Sequence, residues 1–359
     1  MNGVLVIEEV FGESDRRWTV PATEHVANRP IVQHALDALT AAGIRRVIVA
    51  CSTRAEESVR ECLAEHAADD GPELAFVARD GELDLASALE LAAPLVADAP
   101  CIVHRAGGLL AEPLGSLAAR LEHGRDVIVM VHHAARADRR LSATAQRLLG
   151  LAELDPDRSG LGMAGVWGFG AGALASVVAA GESSTASLPI GASDGLLDVA
   201  ALTTRIGAAG GAIHVRSVQG WRVYQGRAGE LLDVNRLVLD QLEADVVGRD
   251  EDGNRIDGRV CIDERASVRN SVIVGPVIIG ADARISDAYI GPYTAVGCGS
   301  RIEGAEIEYS IILSGASVTH VGRRITASVV GRNARLFRDF TLPRAMRLRL
   351  GDGAEVGLC

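Results

Sequence analysis

Five aliphatic residues, Ile262, Ile279, Val296, Leu313 and Val330, recur at intervals of 17 residues, and each is followed by a small or acidic residue: Asp263, Gly280, Gly297, Ser314 and Gly331. Within the intervals more aliphatics come at steps of five or six, as in Val268 and Val274, Ile285 and Ile290, Ile302 and Ile307. Three short strands per turn, each sending one aliphatic inward with a small residue at the corner, describe a parallel β-helix of triangular section. A β-sandwich with regularly spaced turns is the competing arrangement, and five repeats at one interval favour the solenoid. Glycine supplies 40 of the 359 residues while aromatics make up only 3%, a balance that suits closely packed backbones.

Upstream the period changes. Val4–Ile7, Val47–Cys51, Leu74–Val77, Cys101–Val103 and Val127–Val131 are compact apolar runs of strand type. Between the first two, Ile31, Val32, Ala35, Leu36 and Leu39 recur at helical spacing and Gly43 supplies a C-terminal stop. Strand, helix, strand at this spacing is a βαβ unit, and its repetition implies a mostly parallel sheet covered by helices, with ligands over the C-terminal strand ends. A last helix from about Ala228 to Leu242 precedes a polar stretch. The expected division is an α/β domain at 1–247, a linker at 248–257 and the solenoid at 258–359.

Composition narrows the function classes. Lys and Arg number 36 against 47 Asp and Glu, a net 36 − 47 = −11, which opposes general nucleic-acid binding. The six cysteines show no C-x-x-C spacing, so neither a zinc cage nor a disulfide framework is expected. No apolar run reaches membrane-spanning length and the N-terminus lacks a secretory pattern. The expectation is a cytoplasmic protein with neither nucleic-acid nor membrane partners.

Several segments carry a family look. Val26-Ala27-Asn28-Arg29-Pro30-Ile31 resembles the V-A-N-K-P segment of sugar-1-phosphate nucleotidylyltransferases. Gly220-Trp221, with Glu230-Leu231-Leu232-Asp233-Val234-Asn235-Arg236, is similar to the family's stretch around its last metal ligand and the following helix. Gly150-Leu151-Ala152-Glu153-Leu154 and Gly165-Val166-Trp167-Gly168-Phe169 are similar to its sugar-pocket strands, and Leu83-Asp84-Leu85-Ala86 to its base-contacting L-G-L-A. With Ile290-Gly291-Pro292-Tyr293-Thr294 in the solenoid, the resemblance covers nearly the whole chain and is closest to long-form glucose-1-phosphate thymidylyltransferases. It implies a doubly wound α/β nucleotidyltransferase-like domain followed by a left-handed parallel β-helix of hexapeptide-repeat type. It also implies substrate contacts at Leu85, Ala86, Gly150, Gly165 and Trp221. The implied reaction is attack of a sugar-1-phosphate on the α-phosphate of a nucleoside triphosphate, releasing pyrophosphate.

Such chemistry relies on backbone amides around the triphosphate, basic side chains and Mg²⁺ held by carboxylates. The family's G-G-x-G-T-R-L loop is replaced by Glu8-Glu9-Val10-Phe11-Gly12-Glu13-Ser14-Asp15-Arg16-Arg17, with one glycine and four carboxylates; Arg16 and Arg17 are the remnant candidates for the basic contact. The family lysine falls on Pro21. The two metal aspartates fall on His104-Arg105-Ala106-Gly107-Gly108 and on Arg222-Val223-Tyr224-Gln225-Gly226, neither with a carboxylate, so no metal site is expected and Mg²⁺ enters only if the protein is active. Scaffold segments match and chemical segments do not. That asymmetry points to a catalytically impaired, pseudoenzyme-like homologue acting as a regulatory, ligand-binding or scaffolding subunit; the alternative is an active thymidylyltransferase-like enzyme with a divergent site. A sugar phosphate or nucleotide remains the expected ligand, and a homo-oligomer, or a hetero-oligomer with an active homologue, the expected assembly. His132-His133 with Asp138 and the basic stretch Arg136, Arg139, Arg140 and Arg147 read as solvated loop and helix residues, and His320, the lone solenoid histidine, as a minor sign of acyl transfer.

Overall fold

The computed structural model describes residues 1–12, 17–64, 71–121, 125–133, 160–182, 206–208, 210–243, 253–340 and 357. They divide into two compact units: Met1–Glu9, Val20–Thr23 and Pro30–Val223 in one, Val10–Thr19, Glu24–Arg29 and Tyr224–Cys359 in the other.

The first unit is built on a seven-stranded sheet. Its strands are β1 (Asn2–Val6), β2 (Arg46–Ser52), β3 (Glu73–Arg79), β4 (Cys101–Arg105), β5 (Val127–His133), β6 (Leu161–Phe169) and β7 (Ile213–Ser217), in the order β7-β5-β6-β4-β1-β2-β3. β4, β1, β2 and β3 run parallel, and β6 lies antiparallel between β4 and β5. The chain winds outward from β1 through β2 and β3, then crosses back to place β4 on the other side of β1. That reversal makes β1 and β4 the topological switch point, beyond whose C-terminal ends a doubly wound sheet offers its ligand crevice.

The local reasons for these elements are visible in burial. Val4, Leu5 and Val6 are wholly buried, as a central strand covered on both faces must be. Helix α1 (Ile31–Ala41) buries Ile31, Val32, Ala35, Leu36 and Leu39 on one stripe, and Gly43, at φ +84°, takes the left-handed turn just beyond its C-cap. Helix α2 (Glu56–Leu63) begins with two glutamates at its positive end. Helix α3 (Leu85–Val96) starts at Asp84, whose carboxylate accepts the Ser87 N–H at 2.8 Å.

The second unit holds the solenoid: three five-stranded parallel sheets whose strands follow one another coil by coil. In most coils one aliphatic per strand points inward, and Ile273, Ile290 and Ile307 form a fully buried column. Two sequence expectations need correction. Arg255–Asp257, placed in the linker because of its polarity, is the first strand of the solenoid, paired with Val272–Val274; only Ile256 points inward, and its charged neighbours hide it from a composition reading. The uniform interval of 17 also fails locally. Val296 pairs with Ile312, 16 residues on, and Ile312 with Val330, 18 residues on, so Ile312 and not Leu313 is the inward residue of that coil. A shortened corner at Tyr309-Ser310 and a longer one at His320–Arg324 compensate, restoring the phase two coils later.

The V-A-N-R segment and helix α4 (Ala228–Asp240) belong to this second unit. Ala27 and Asn28 both adopt positive φ. The Ala27 N–H donates to Asn235 Oδ1 at 2.8 Å, Asn235 Nδ2 donates to the Tyr293 carbonyl at 3.2 Å, and Asn28 Nδ2 donates to the Val296 carbonyl at 2.8 Å. The asparagines shared with the family pattern therefore hold backbone: they fasten the Glu24–Arg29 segment and α4 to the third coil.

Candidate functional site

Charged side chains from two strand ends meet at the switch point of the first unit. Glu8 follows β1 and Arg105 ends β4, and Val6 stands opposite Arg105 in the parallel register. Arg105 Nε donates to Glu8 Oε2 at 2.8 Å, and Nη2 lies 2.7 Å from the same oxygen. Side-chain exposure is 9% for Arg105 and 20% for Glu8, so the pair is screened little by solvent. Glu9 turns the other way. Its carboxylate is buried, with Oε1 3.2 Å from Arg54 Nε just before α2 and no hydrogen bond to either oxygen. Left unpaired, the carboxylates after β1 would repel a triphosphate; Glu8 is matched to Arg105 at the end of β4, and Glu9 to Arg54 in the turn after β2.

Trp221 lies beside the same strands. The ladder between Gly108–Leu109 and Arg222–Val223 brings its ring in front of the sheet, where it is 3% exposed. A Cβ on Gly165 would lie 2.5 Å from Trp221 Cζ2 and 2.9 Å from Arg105 Cδ, and one on Gly108 would lie 2.5 Å from the same ring. Both contacts are shorter than a Cβ tolerates, so glycine at 108 and 165 is what allows the indole to lie against the backbone. His104 packs edge-on to Trp221 at 5.8 Å between ring centroids. It is wholly buried; Nδ1 lies 2.9 Å from the Arg105 carbonyl, and Nε2 has no hydrogen-bond partner among the described residues.

Burial pushes the His104 imidazole down to about 4, because a desolvated ring resists taking a charge. A folded-state value below the unfolded one (about 6.5) means stability is complete above pH ~6.5 and is lost as pH falls from there toward 4. Each unit of that window costs about 1.4 kcal/mol. Urea titrations at pH 7 and pH 5 should therefore show a loss on the order of 2 kcal/mol, and His104→Gln should remove that part of the pH dependence.

The positions expected to touch substrate are distributed unevenly. Gly165 and Trp221 are brought together, and they touch each other. Leu85 is fully buried and Ala86 9% exposed at the start of α3. Asp84, standing where the family pattern has a base-contacting glycine, caps that helix. Arg17 lies in a short hairpin strand, Arg17–Thr19, paired with Val10–Gly12; Arg16 and Gly150 lie outside the described residues, as do Asp138 and the arginines at 136, 139, 140 and 147.

A divalent cation fits poorly here. Mg²⁺ takes hard oxygen donors, and the end of β4 presents a buried imidazole and a guanidinium, while the nearest carboxylate, Glu8, is committed to that guanidinium. Arg222–Val223 adds no carboxylate. Among the described residues no group of three or more His, Cys, Asp or Glu side chains is arranged to hold a metal, and no helix is long and apolar enough to cross a membrane.

Comparison with known proteins places this arrangement in context. No family model matches the chain. It is 31% identical over 347 residues to a glucose-1-phosphate thymidylyltransferase of Streptomyces antibioticus, covering 92% of this chain and 91% of that one. A second glucose-1-phosphate thymidylyltransferase, from Streptomyces griseus, is 29% identical over 344 residues, and a low-salt glycan biosynthesis nucleotidyltransferase of Haloferax volcanii is 28% identical over 350. Among solved structures, a Bacillus anthracis protein described as a candidate glucose-1-phosphate thymidylyltransferase, in complex with sucrose, aligns with a TM-score of 0.50 at 12% identity. It covers 66% of this chain and 94% of its own, a likeness of fold alone.

Proposed function

Since the chain belongs to the sugar-1-phosphate nucleotidylyltransferase family, we propose that it is a catalytically impaired member whose nucleotide crevice is closed from within, serving as a regulatory, ligand-binding or scaffolding homologue. One observation carries this reading: Glu8, Arg105 and Trp221 occupy the space beyond β1 and β4, and the arginine stands where carboxylates would have to present Mg²⁺ to a triphosphate. Transfer of a nucleotidyl group draws on charge neutralisation and positioning. Here Arg105, well placed to neutralise a phosphate, is already neutralised by the protein. A sugar phosphate remains the ligand class the inherited scaffold suits, and an oligomer containing an active relative would give an inactive subunit a role.

The active reading has its own support in the 31% identity that runs along 92% of the chain to a thymidylyltransferase. One assay separates them. Purified full-length protein is incubated with dTTP or UTP, glucose-1-phosphate and Mg²⁺, and pyrophosphate release is followed beside an active thymidylyltransferase. We expect no turnover above the protein-free background. Turnover that disappears on Arg16→Ala with Arg17→Ala would establish an enzyme with a rebuilt site.

A further inference from the structure

One face of the solenoid carries charge of the sign opposite to the protein as a whole. In the sheet formed by Ser267–Arg269, Arg284–Ser286, Arg301–Glu303, Ser317–Thr319 and Arg335–Phe337, the middle residues Val268, Ile285, Ile302 and Val318 pack toward the core and their flanking residues point out, while in the last strand Leu336 is itself 41% exposed. Arg284 and Arg301 are direct neighbours in the register, and Arg335 stands two coils further along the same row, beyond Ser317. Arg269 lies in the adjacent row. The only acid among these outward residues is Glu303, which pairs with Arg301. Arg269 and Arg284 are exposed and make no ion pair among the described residues. A flat strip with four arginines and one glutamate is a marked departure in a chain of net charge −11.

We propose that this face docks an acidic α-helix of a partner protein, lying along the solenoid axis with its carboxylates on one stripe. The sign of the charge selects an anionic partner, and the spacing selects its form. Adjacent coils are about 4.8 Å apart, so Arg284 and Arg335, three coils apart, are separated by roughly 14 Å along the axis. A helix with glutamates alternating at i+4 and i+3 repeats each ~5.3 Å, reaching about 16 Å in three steps, a mismatch that flexible arginine side chains absorb. An extended acidic strand repeats on one face every ~6.7 Å, so an acid set on Arg284 puts the next about 2 Å beyond Arg301, the adjacent arginine, against about 0.5 Å for the helix. A second copy docking through this same face would set arginine row against arginine row.

The test uses the full-length protein and two fluorescent alanine-rich peptides of identical composition. One places four glutamates on a single helical stripe; the other distributes them around the helix. The stripe peptide is expected to bind roughly tenfold more tightly at low salt, to weaken as salt rises, and to lose binding to Arg284→Glu with Arg301→Glu, a pair of surface changes that leave the thermal midpoint in place. Equal binding of the two peptides, no binding of either, or undiminished binding to the double variant each overturns the proposal. So does binding of heparin or of phosphatidylglycerol vesicles in place of the stripe peptide, which would make the face a general anion-attracting surface.

Discussion

Ile290→Asp is expected to unfold the solenoid at pH 7. Ile290 is fully buried in the third coil and pairs with Ile273 on one side and Ile307 on the other, both also fully buried. Removing its aliphatic side chain costs about 1.5–3 kcal/mol of burial, before the cavity left around a shorter residue is counted. The new carboxylate then meets a largely aliphatic surround, and the one hydroxyl buried in the same coil without a hydrogen-bond partner among the described residues, Thr294 Oγ1, does not offset the cost of a buried charge. It must either ionise in an apolar interior or take a proton at a pH several units above its normal value, about 1.4 kcal/mol per unit. The combined penalty, on the order of 5 kcal/mol or more, is comparable with the entire stability of an ordinary domain.

Position within the stack enlarges the effect. Each coil is stabilised by its two neighbours, so a defect in the third separates the first two coils from the last two. Hydrogen exchange should show lost protection in Val272–Val274, Tyr289–Ile290 and Glu306–Glu308 together. Ile290→Val, which keeps shape and apolarity, should cost only about 0.5–1.5 kcal/mol and leave protection intact. A melting midpoint for Ile290→Asp within about two degrees of wild type, where even 1 kcal/mol moves a domain of this size by a few degrees, would show that the column does not hold the coils together.

The solenoid was legible in the sequence because its physics is local: every coil needs an inward aliphatic and a tight corner at nearly fixed intervals, so the pattern survives reading one residue at a time. It failed where compensation enters. The 16-residue and 18-residue intervals around Ile312 restore the phase at Val330, which made Leu313 look like an inward residue and hid the true one. Ile256 was missed because a three-residue strand with two charged flanks has no apolar signature of its own.

The candidate site was legible only in its parts. Glu8 and Arg105 each stand out as departures from the family pattern, which puts both at the phosphate and metal site once β4 crosses back beside β1, but they are 97 residues apart and nothing in the sequence says that their side chains meet. The same crossover determines whether two opposite charges are merely misplaced or form a pair. Gly165, implied by the resemblance as a substrate contact, and Gly108 show their packing role only once Trp221 is seen lying against both. The asparagines at 28 and 235 show the reverse case: residues that carry the family resemblance turn out to make backbone hydrogen bonds that fasten scaffold to scaffold.

The Glu8–Arg105 pair provides the most direct test of whether the crevice is closed. Arg105→Leu is expected to destabilise the protein by about 3–5 kcal/mol, because it leaves the Glu8 carboxylate with 20% side-chain exposure and no counter-charge. Glu8→Leu with Arg105→Leu should recover much of that loss, since a pair of apolar side chains avoids the cost of desolvating both ions. The resulting cycle measures the coupling itself, expected to exceed about 1 kcal/mol for two groups in direct contact. Glu8→Gln tests the consequence for ligands. It keeps the size of the side chain and removes the charge, which frees a guanidinium whose geometry suits phosphate oxygens. Pyrophosphate should then raise the melting midpoint of Glu8→Gln in a concentration-dependent way while leaving wild type unmoved, and Glu8→Gln with Arg105→Leu should lose the response. If wild type responds to pyrophosphate as strongly as Glu8→Gln does, the internal carboxylate does not block the crevice, and an active nucleotidyl-transfer site becomes the better account of the same scaffold.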